Sequence, residues 1–407
     1  MSDVKSFILK NWENTTRYNP DDNGTLIGLP KPYTVPSIAD HFQEMYYWDT
    51  YFSNRGLIIC GRVDQAINNV ENMFSLIDRY GCMLNGNRVY YLNNSQPPFL
   101  SLMVKDIYDA TKDKNWLKTA LSYLEKEYNI WQTSRNTEIG LNQYSCNNKG
   151  AIAEKKYEGY IRRIGKRPEG YSDDELSCHY VTVCESGWDI TPRFGFEAKD
   201  YVEVDLNALL FALEKNIGDF TEELGFKGSD VWYKRAQDRK NLMEKYMLKD
   251  GIFYDYDFKK KTISDQFTCA SFYPMFVGML DDAQAAQLAK NLYRLEAEYG
   301  ITADEKKDFG YKYQWHYPNG WAPHQDIVMR ALSNYGYSDD ALRVAEKYVR
   351  IVEKNFAENH NLWEKYNVVT GGIDIAYEGS GNDSAMPPMM GWTAGAYLDA
   401  LKYIEEH

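Results

Sequence analysis

The stretch GRVDQAINNVENMFSLIDRYG, residues 61–81, decides the fold class. Val63, Ala66, Ile67, Val70, Met73, Phe74 and Ile77 recur at steps of three and four, which makes one helix face apolar, and Gly81 supplies the left-handed residue on which a helix stops. The same spacing returns in WLKTALSYLEKEYNIWQ (116–132), VEVDLNALLFALEKNI (202–217), VWYKRAQDRKNLMEKYM (231–247), AAQLAKNLYRL (285–295), PHQDIVMRALSNYG (323–336), DDALRVAEKYVRIVEKNF (339–356) and MGWTAGAYLDALKYIEE (390–406). Ser229 and Ser338 are the expected N-caps of two of these helices. Roughly ten to twelve helices follow, and antiparallel pairs closed into an all-α toroid accommodate them, with residues 1–407 as a single unit. No fixed-period repeat supports an open solenoid. Strand signals are confined to GIFYDYDF (251–258) and NRVYYL (87–92), which alternate well enough for short β-hairpin arms in the loops. The longest stretch without a helical stripe is 137–178, rich in charged and aromatic groups and expected to be functional.

Composition excludes several function classes. The formal charge is -13 and the pI about 5.1, so a nucleic-acid partner is disfavoured. The six cysteines (60, 82, 146, 178, 184 and 269) show no C-x-x-C spacing and read as reduced thiols. His41, His179, His316, His324 and His360 are too scattered for a metal site, so no metal and no cofactor is expected. The apolar run around Phe7–Leu9 is too short for a secretory leader and nothing approaches a membrane span, so a cytoplasmic protein without membrane contact is expected. Aromatic residues make up 15% of the chain, with 34 Tyr and 10 Trp, and such side chains stack on sugar rings while their polar edges hydrogen bond.

Five segments concentrate aromatic, amide and charged groups: HFQEMYYWDTYF (41–52), NGNRVYYLNNSQPPF (85–99), CESGWDITPRFG (184–195), YQWHYPNGWAPHQD (313–326) and WEKYN (363–367). In order and spacing, YYWDTYF, LIDRYGCMLNGNRVYYLNNSQPPF, ESGWD, QWHYPNGWAP, EKY and the final GWT closely resemble the trehalases, over about Pro36 to Ala400. The resemblance implies an (α/α)6 barrel and an inverting glycoside hydrolase acting on a small carbohydrate, trehalose or a related α-glucosyl disaccharide. It implies that Asp189, in ESGWD, is the general acid and Glu364, in EKY, the general base. Inversion needs two carboxyl groups about 6.5–9.5 Å apart, with the acid raised in pKa. Gly187 and Trp188 could desolvate Asp189, and Lys365 would favour an ionised Glu364 if it points the same way. The implied sugar-binding positions are Phe42, Tyr47, Trp48, Asp49, Asn85, Gln96, Arg167, Glu169, Gly187, Trp315, His316 and Trp392.

The chain also departs from that pattern. P-S-I-A-D-H-F (36–42) puts His41 where trehalases have an arginine, Asn94 replaces a second arginine, and Q-W-D becomes Q-W-H at His316. A glycine-rich segment is replaced by EGSGNDSAMPPMMGWTAG, where Glu378 or Asp383 stands as a possible acidic substitute. Losing charge-assisted donors costs about 1.5–3 kcal/mol each, so specificity could change while the catalytic pair survives. A glycosylglycerate hydrolase would hold the carboxylate with Arg88, Arg163 or Arg167. A sugar epimerase would use His41 and His316 as acid and base, and a sugar-binding relative would need neither carboxyl.

Overall fold

The computed structural model describes residues 3–38, 41–145, 156–375 and 386–407. Among them are fourteen α-helices: α1 (Asp3–Asn11), α2 (Tyr47–Ile59), α3 (Val63–Tyr80), α4 (Leu100–Thr111), α5 (Lys114–Ser134), α6 (Lys156–Ile164), α7 (Asp173–Glu185), α8 (Val204–Glu223), α9 (Ser229–Met247), α10 (Tyr273–Phe276), α11 (Asp282–Lys290), α12 (Ala322–Asn334), α13 (Ser338–Asn359) and α14 (Gly391–Glu406). Helices α2, α4, α8, α10, α12 and α14 touch in that order, and α14 returns to α2, closing a ring of six. Helices α3, α5, α9 and α13 pack outside it. This is the expected (α/α)6 toroid.

Burial separates the two layers. In α8, 16 of 20 residues are buried, including Asp205, Asn207 and Glu214, whereas its outer partner α9 buries only Ala236, Arg239, Met243 and Met247. A helix covered on all sides reads as apolar throughout, and one covered on a single side keeps an amphipathic stripe. The stripe at 61–81 therefore marks an outer helix, α3, which stops on Gly81 at φ 76°.

The ring closes at a small-residue crossing. A Cβ on Gly395 of α14 would lie 1.9 Å from the Phe52 carbonyl oxygen of α2, and one on Gly56 would lie 3.0 Å from the Gly395 Cα. Gly395→Ala gains up to about 1 kcal/mol of helix propensity but must push two backbones apart. We expect a net loss of about 1–3 kcal/mol, read as a lower urea midpoint.

Buried charge ties the loops to the ring. Arg193 donates to Asp205 (2.7 and 3.1 Å) and to Asp255 (2.7 Å twice), all three being buried, and Asp255 also accepts from the Val204 amide. Arg193 follows the ESGWD motif by four residues, so this cluster anchors that loop to the start of α8.

Local differences from expectation have identifiable causes. GIFYDYDF does form strands, with Ile252–Phe253 pairing Leu248–Lys249 and Tyr256–Asp257 lying between Tyr201–Val202 and Thr262–Ile263. NRVYYL instead forms a 3-10 turn over Val89–Tyr91, where Tyr90 is exposed and Tyr91 packs edge-on against Tyr46. Within 137–178, α6 and the start of α7 pack against each other, α7 opening with a capping box from Ser172 and Glu175. Ser229 and Ser338 are helical residues; the N-caps are Gly228 and Tyr337, without side-chain caps. The five described cysteines are free thiols. No helix among the described residues is long and apolar enough to cross a membrane.

Candidate active site

A cavity of about 450 Å3 lies at one end of the ring, and chain segments far apart in sequence line it. The first turn of α2 contributes Trp48 and Asp49. The loop after α3 wraps over it, and Gln96 accepts from the Trp48 amide at 3.2 Å, satisfying a donor the helix start cannot pair. Asn85 is braced by donating to the Ser95 carbonyl. That loop is pinned by Glu185, fully buried, which accepts from the Ser95 and Ser145 amides and from both Nε and Nη2 of Arg135. Glu185 in ESGWD is thus a structural carboxylate.

Gly187 lets the chain turn, at φ +79°, with Trp48 so close that a Cβ would sit 2.9 Å from its ring. Asp189 then enters the cavity, where it accepts from Arg163 Nη1 (2.6 Å), Gln314 Nε2 (2.7 Å) and Trp315 Nε1 (3.0 Å). Burial pushes its carboxyl up, but the Arg163 charge and these donors outweigh it and hold it below the usual carboxylate range. The expected elevation by desolvation does not occur. The Trp188 indole stacks on Trp315 and meets His324 at a tilt.

A second carboxyl comes from the antiparallel strand pair of Asn319–Trp321 with Lys365–Asn367, in which Trp321 pairs with Lys365. Glu364, one residue before the strand, lines the same cavity as Asp189. Lys365 points the same way as expected: its Nζ donates to Glu364 Oε2 and lies over the Trp321 ring. Trp392 Nε1 fixes the backbone by donating to the Glu364 carbonyl at 3.0 Å. Asp49 is a third carboxyl on the wall; burial, and after it the charge of Glu364, push it up to about 8. Four indoles form a continuous floor, Trp315 stacking on Trp321 at 3.7 Å and neighbouring Trp48 and Trp392, with Trp188 stacked on Trp315 outside the lining. Two or three acids over such a floor can exchange protons with a sugar whose ring lies flat on the indoles.

Of the expected sugar-binding positions, Phe42, Trp48, Asp49, Asn85, Gln96, Gly187, Trp315 and Trp392 line the cavity. Tyr47 does not: one helix step from Trp48, its hydroxyl turns outward to Glu127 and accepts from the Leu100 amide. Arg167 and Glu169 are also outside. Helix α6 ends at Ile164 and Gly165, at φ +89°, redirects the chain, so Arg167 pairs with Asp173 and the Tyr171 carbonyl, and Glu169 is exposed. His316 is held by Asp304 and the Lys307 carbonyl, and His41 is exposed, so neither lines the cavity. Glu378 and Asp383 lie outside the described residues. Sequence reasoning missed Tyr91, Tyr180, Gln314 and Trp321 as lining residues. Gln314 and Trp321 stand inside the quoted QWHYPNGW run, so the signal for them was present.

The profile of the trehalase family matches residues 3–405. The chain belongs to the trehalase family. This family member is a glycoside hydrolase, and it is 32% identical to the periplasmic trehalase of Xanthomonas oryzae over 402 residues, covering 93% of the chain and 69% of the relative. The neutral trehalase of Saccharomyces cerevisiae superposes with a TM-score of 0.78 at 29% identity, over 98% of this chain and 80% of that one. A mannosylglycerate hydrolase of Thermus thermophilus shares the fold, with a TM-score of 0.68 at 16% identity over 97% of this trehalase-family chain and 99% of that structure. The expected cytoplasmic location is overturned: relatives from Xanthomonas and Escherichia coli are named periplasmic trehalases. That expectation rested on the short apolar run around Phe7–Leu9 and on the lack of a membrane-length apolar stretch, neither of which bears on the catalytic fold.

Proposed function

We propose that this glycosidase hydrolyses trehalose with inversion, Asp189 protonating the glycosidic oxygen while Glu364 takes a proton from the attacking water, and that residues 1–407 act as one catalytic unit. The observation that carries the reading is that both carboxyls line one cavity floored by indoles. The glycosidic C–O bond breaks, water's oxygen bonds to the anomeric carbon, one sugar leaves with the proton of Asp189, and Glu364 returns its proton through solvent. Glu364, paired with Lys365, has the ionic partner that suits a base. A neutral disaccharide fits better than a glycosylglycerate, because Arg88, Arg163 and Arg167 already pair with Glu44, Asp189 and Asp173. Epimerase chemistry is disfavoured by the positions of His41 and His316 outside the cavity.

The ionised state of Asp189 in the sugar-free pocket sets a condition: it takes up its proton as substrate hydroxyls draw Arg163 and Gln314 away. Asp49, pushed up to about 8, supports a second reading in which it is the proton donor. Arg163→Leu separates the two. Removing the cation raises Asp189, so with Asp189 as the acid the basic limb of the kcat/KM profile moves up by about 1–3 in pH. A limb that stays near pH 8 in both proteins assigns the proton to Asp49.

Stereochemistry tests the rest. Proton NMR of the first turnovers on trehalose is expected to show α- and β-glucose appearing in equal amounts, one anomeric centre being inverted and the other untouched. Initial release of α-glucose alone rejects inversion.

A further inference from the structure

A second cavity, of about 260 Å3, lies behind the loop that covers the active site, between that loop and α5. Its walls are Cys82, Leu92 and Asn94 on the loop side and Glu127, Trp131 and Ser134 on the helix side. Asn94 lines both cavities, so residues 82–96 form a partition with the active site on its other face.

One carboxylate in its wall is only half satisfied. Glu127 lines the space and is 1% exposed; its Oε1 accepts from the Tyr47 hydroxyl, whereas Oε2 is buried and has no donor among the described residues. A buried carboxylate oxygen without a donor is costly, and burial lifts this carboxyl to about 7. An apolar ligand would leave Oε2 unpaired, and an anion would be repelled by Glu127 while the Arg135 cation in the same wall already pairs with Glu185. A molecule with several hydroxyls donates to Oε2 and to the Asn94 amide oxygen while setting a C–H face on Trp131 or Leu92. The volume falls below the roughly 300–1,000 Å3 of drug-sized sites and has room for one hexose.

We propose that this cavity binds a single hexose-sized neutral polyol, and that the monosaccharide released next door is such a ligand. The site is wired to the active site twice. Asn94 is shared, and Tyr47, held by Glu127, immediately precedes Trp48 and Asp49. Occupancy therefore acts on hydrolysis without competing for the same space, giving a noncompetitive component to inhibition by glucose. The inhibition readout rests on the proposed reaction; the binding readout does not.

The experiment is equilibrium dialysis of labelled D-glucose against the parent protein and against Cys82→Phe and Ser134→Phe, which fill the cavity from opposite walls. A parent that binds one more glucose than either folded variant supports the site, with inhibition in that variant reduced to a purely competitive form. A parent and folded variants that bind the same number of glucose molecules overturn it. If both variants misfold, a glucose-soaked crystal of the parent decides, by the presence or absence of sugar density beside Glu127. Absence of trehalose hydrolysis together with that one-glucose difference would sink the proposed reaction and leave this site standing.

Discussion

Replacing Asp189 with Asn is expected to lower kcat on trehalose by about 10²–10⁴, the usual contribution of a positioned acid or base. Glu364→Gln is expected to fall in the same range. KM should change little, because each replacement keeps the shape, whereas the unfolding midpoint should fall, because Arg163 and Lys365 each lose a carboxylate partner. The two losses differ in how they respond to the leaving group. With α-glucosyl fluoride, whose fluoride departs without needing a full proton, Asp189→Asn recovers much of its rate and Glu364→Gln recovers none. Added azide does the reverse, replacing the water that Glu364 would activate and giving a β-linked azide. Equal recovery of both variants with the fluoride, or kcat close to the parent in either, would remove that residue from its role. If instead Asp49→Asn shows the fluoride-rescued loss, Asp49 carries the proton.

The largest stability effect is expected at Arg193. Arg193→Leu leaves Asp205 and Asp255 facing each other in the interior with their shared cation gone. Breaking a buried pair by removing one partner costs about 3–5 kcal/mol, and here two carboxylates are stranded. The urea midpoint should fall accordingly, and the loss should grow as pH rises through the range where the stranded acids ionise. Replacing all three polar groups together, with Arg193→Leu, Asp205→Asn and Asp255→Asn, is expected to recover much of the stability. A triple variant no more stable than Arg193→Leu alone would show that the cluster acts by packing on Trp188, which Arg193 covers at 4.8 Å, rather than by charge.

How much was legible in the sequence follows from where each signal lives. Three- and four-residue spacing is a local property, and it gave the outer helices directly, α3 and α13 above all. The inner helices were visible as apolar runs, but nothing local says that α14 meets α2; that contact depends on Gly56 and Gly395 lying opposite each other across the ring. In the site, the aromatic floor and both carboxyls sat in dense, recognisable segments. Arg167 was chosen because it occupies a recognisable R-P-E run, while Arg163, which pairs with Asp189, is one turn earlier on α6. The φ of +89° at Gly165 separates their destinations, and no spacing rule predicts it. His316 was misassigned for a similar reason, its partner Asp304 being a loop residue whose approach only the folded chain reveals. The ionisation of Asp189 was unreadable, since it depends on the balance of burial against three donors from two other segments.

The joining of α14 to α2 has a consequence for synthesis on the ribosome. The ring's first member, α2, is complete at Ile59, but its neighbour on one side, α14, begins only at Gly391. Until then the nascent chain is an open arc with two unmated helical flanks, and Trp392 and Glu364 have yet to meet Trp48. Activity is therefore a property of chains extended through α14, and chains terminated before it present sticky apolar edges that a chaperone or protease can recognise.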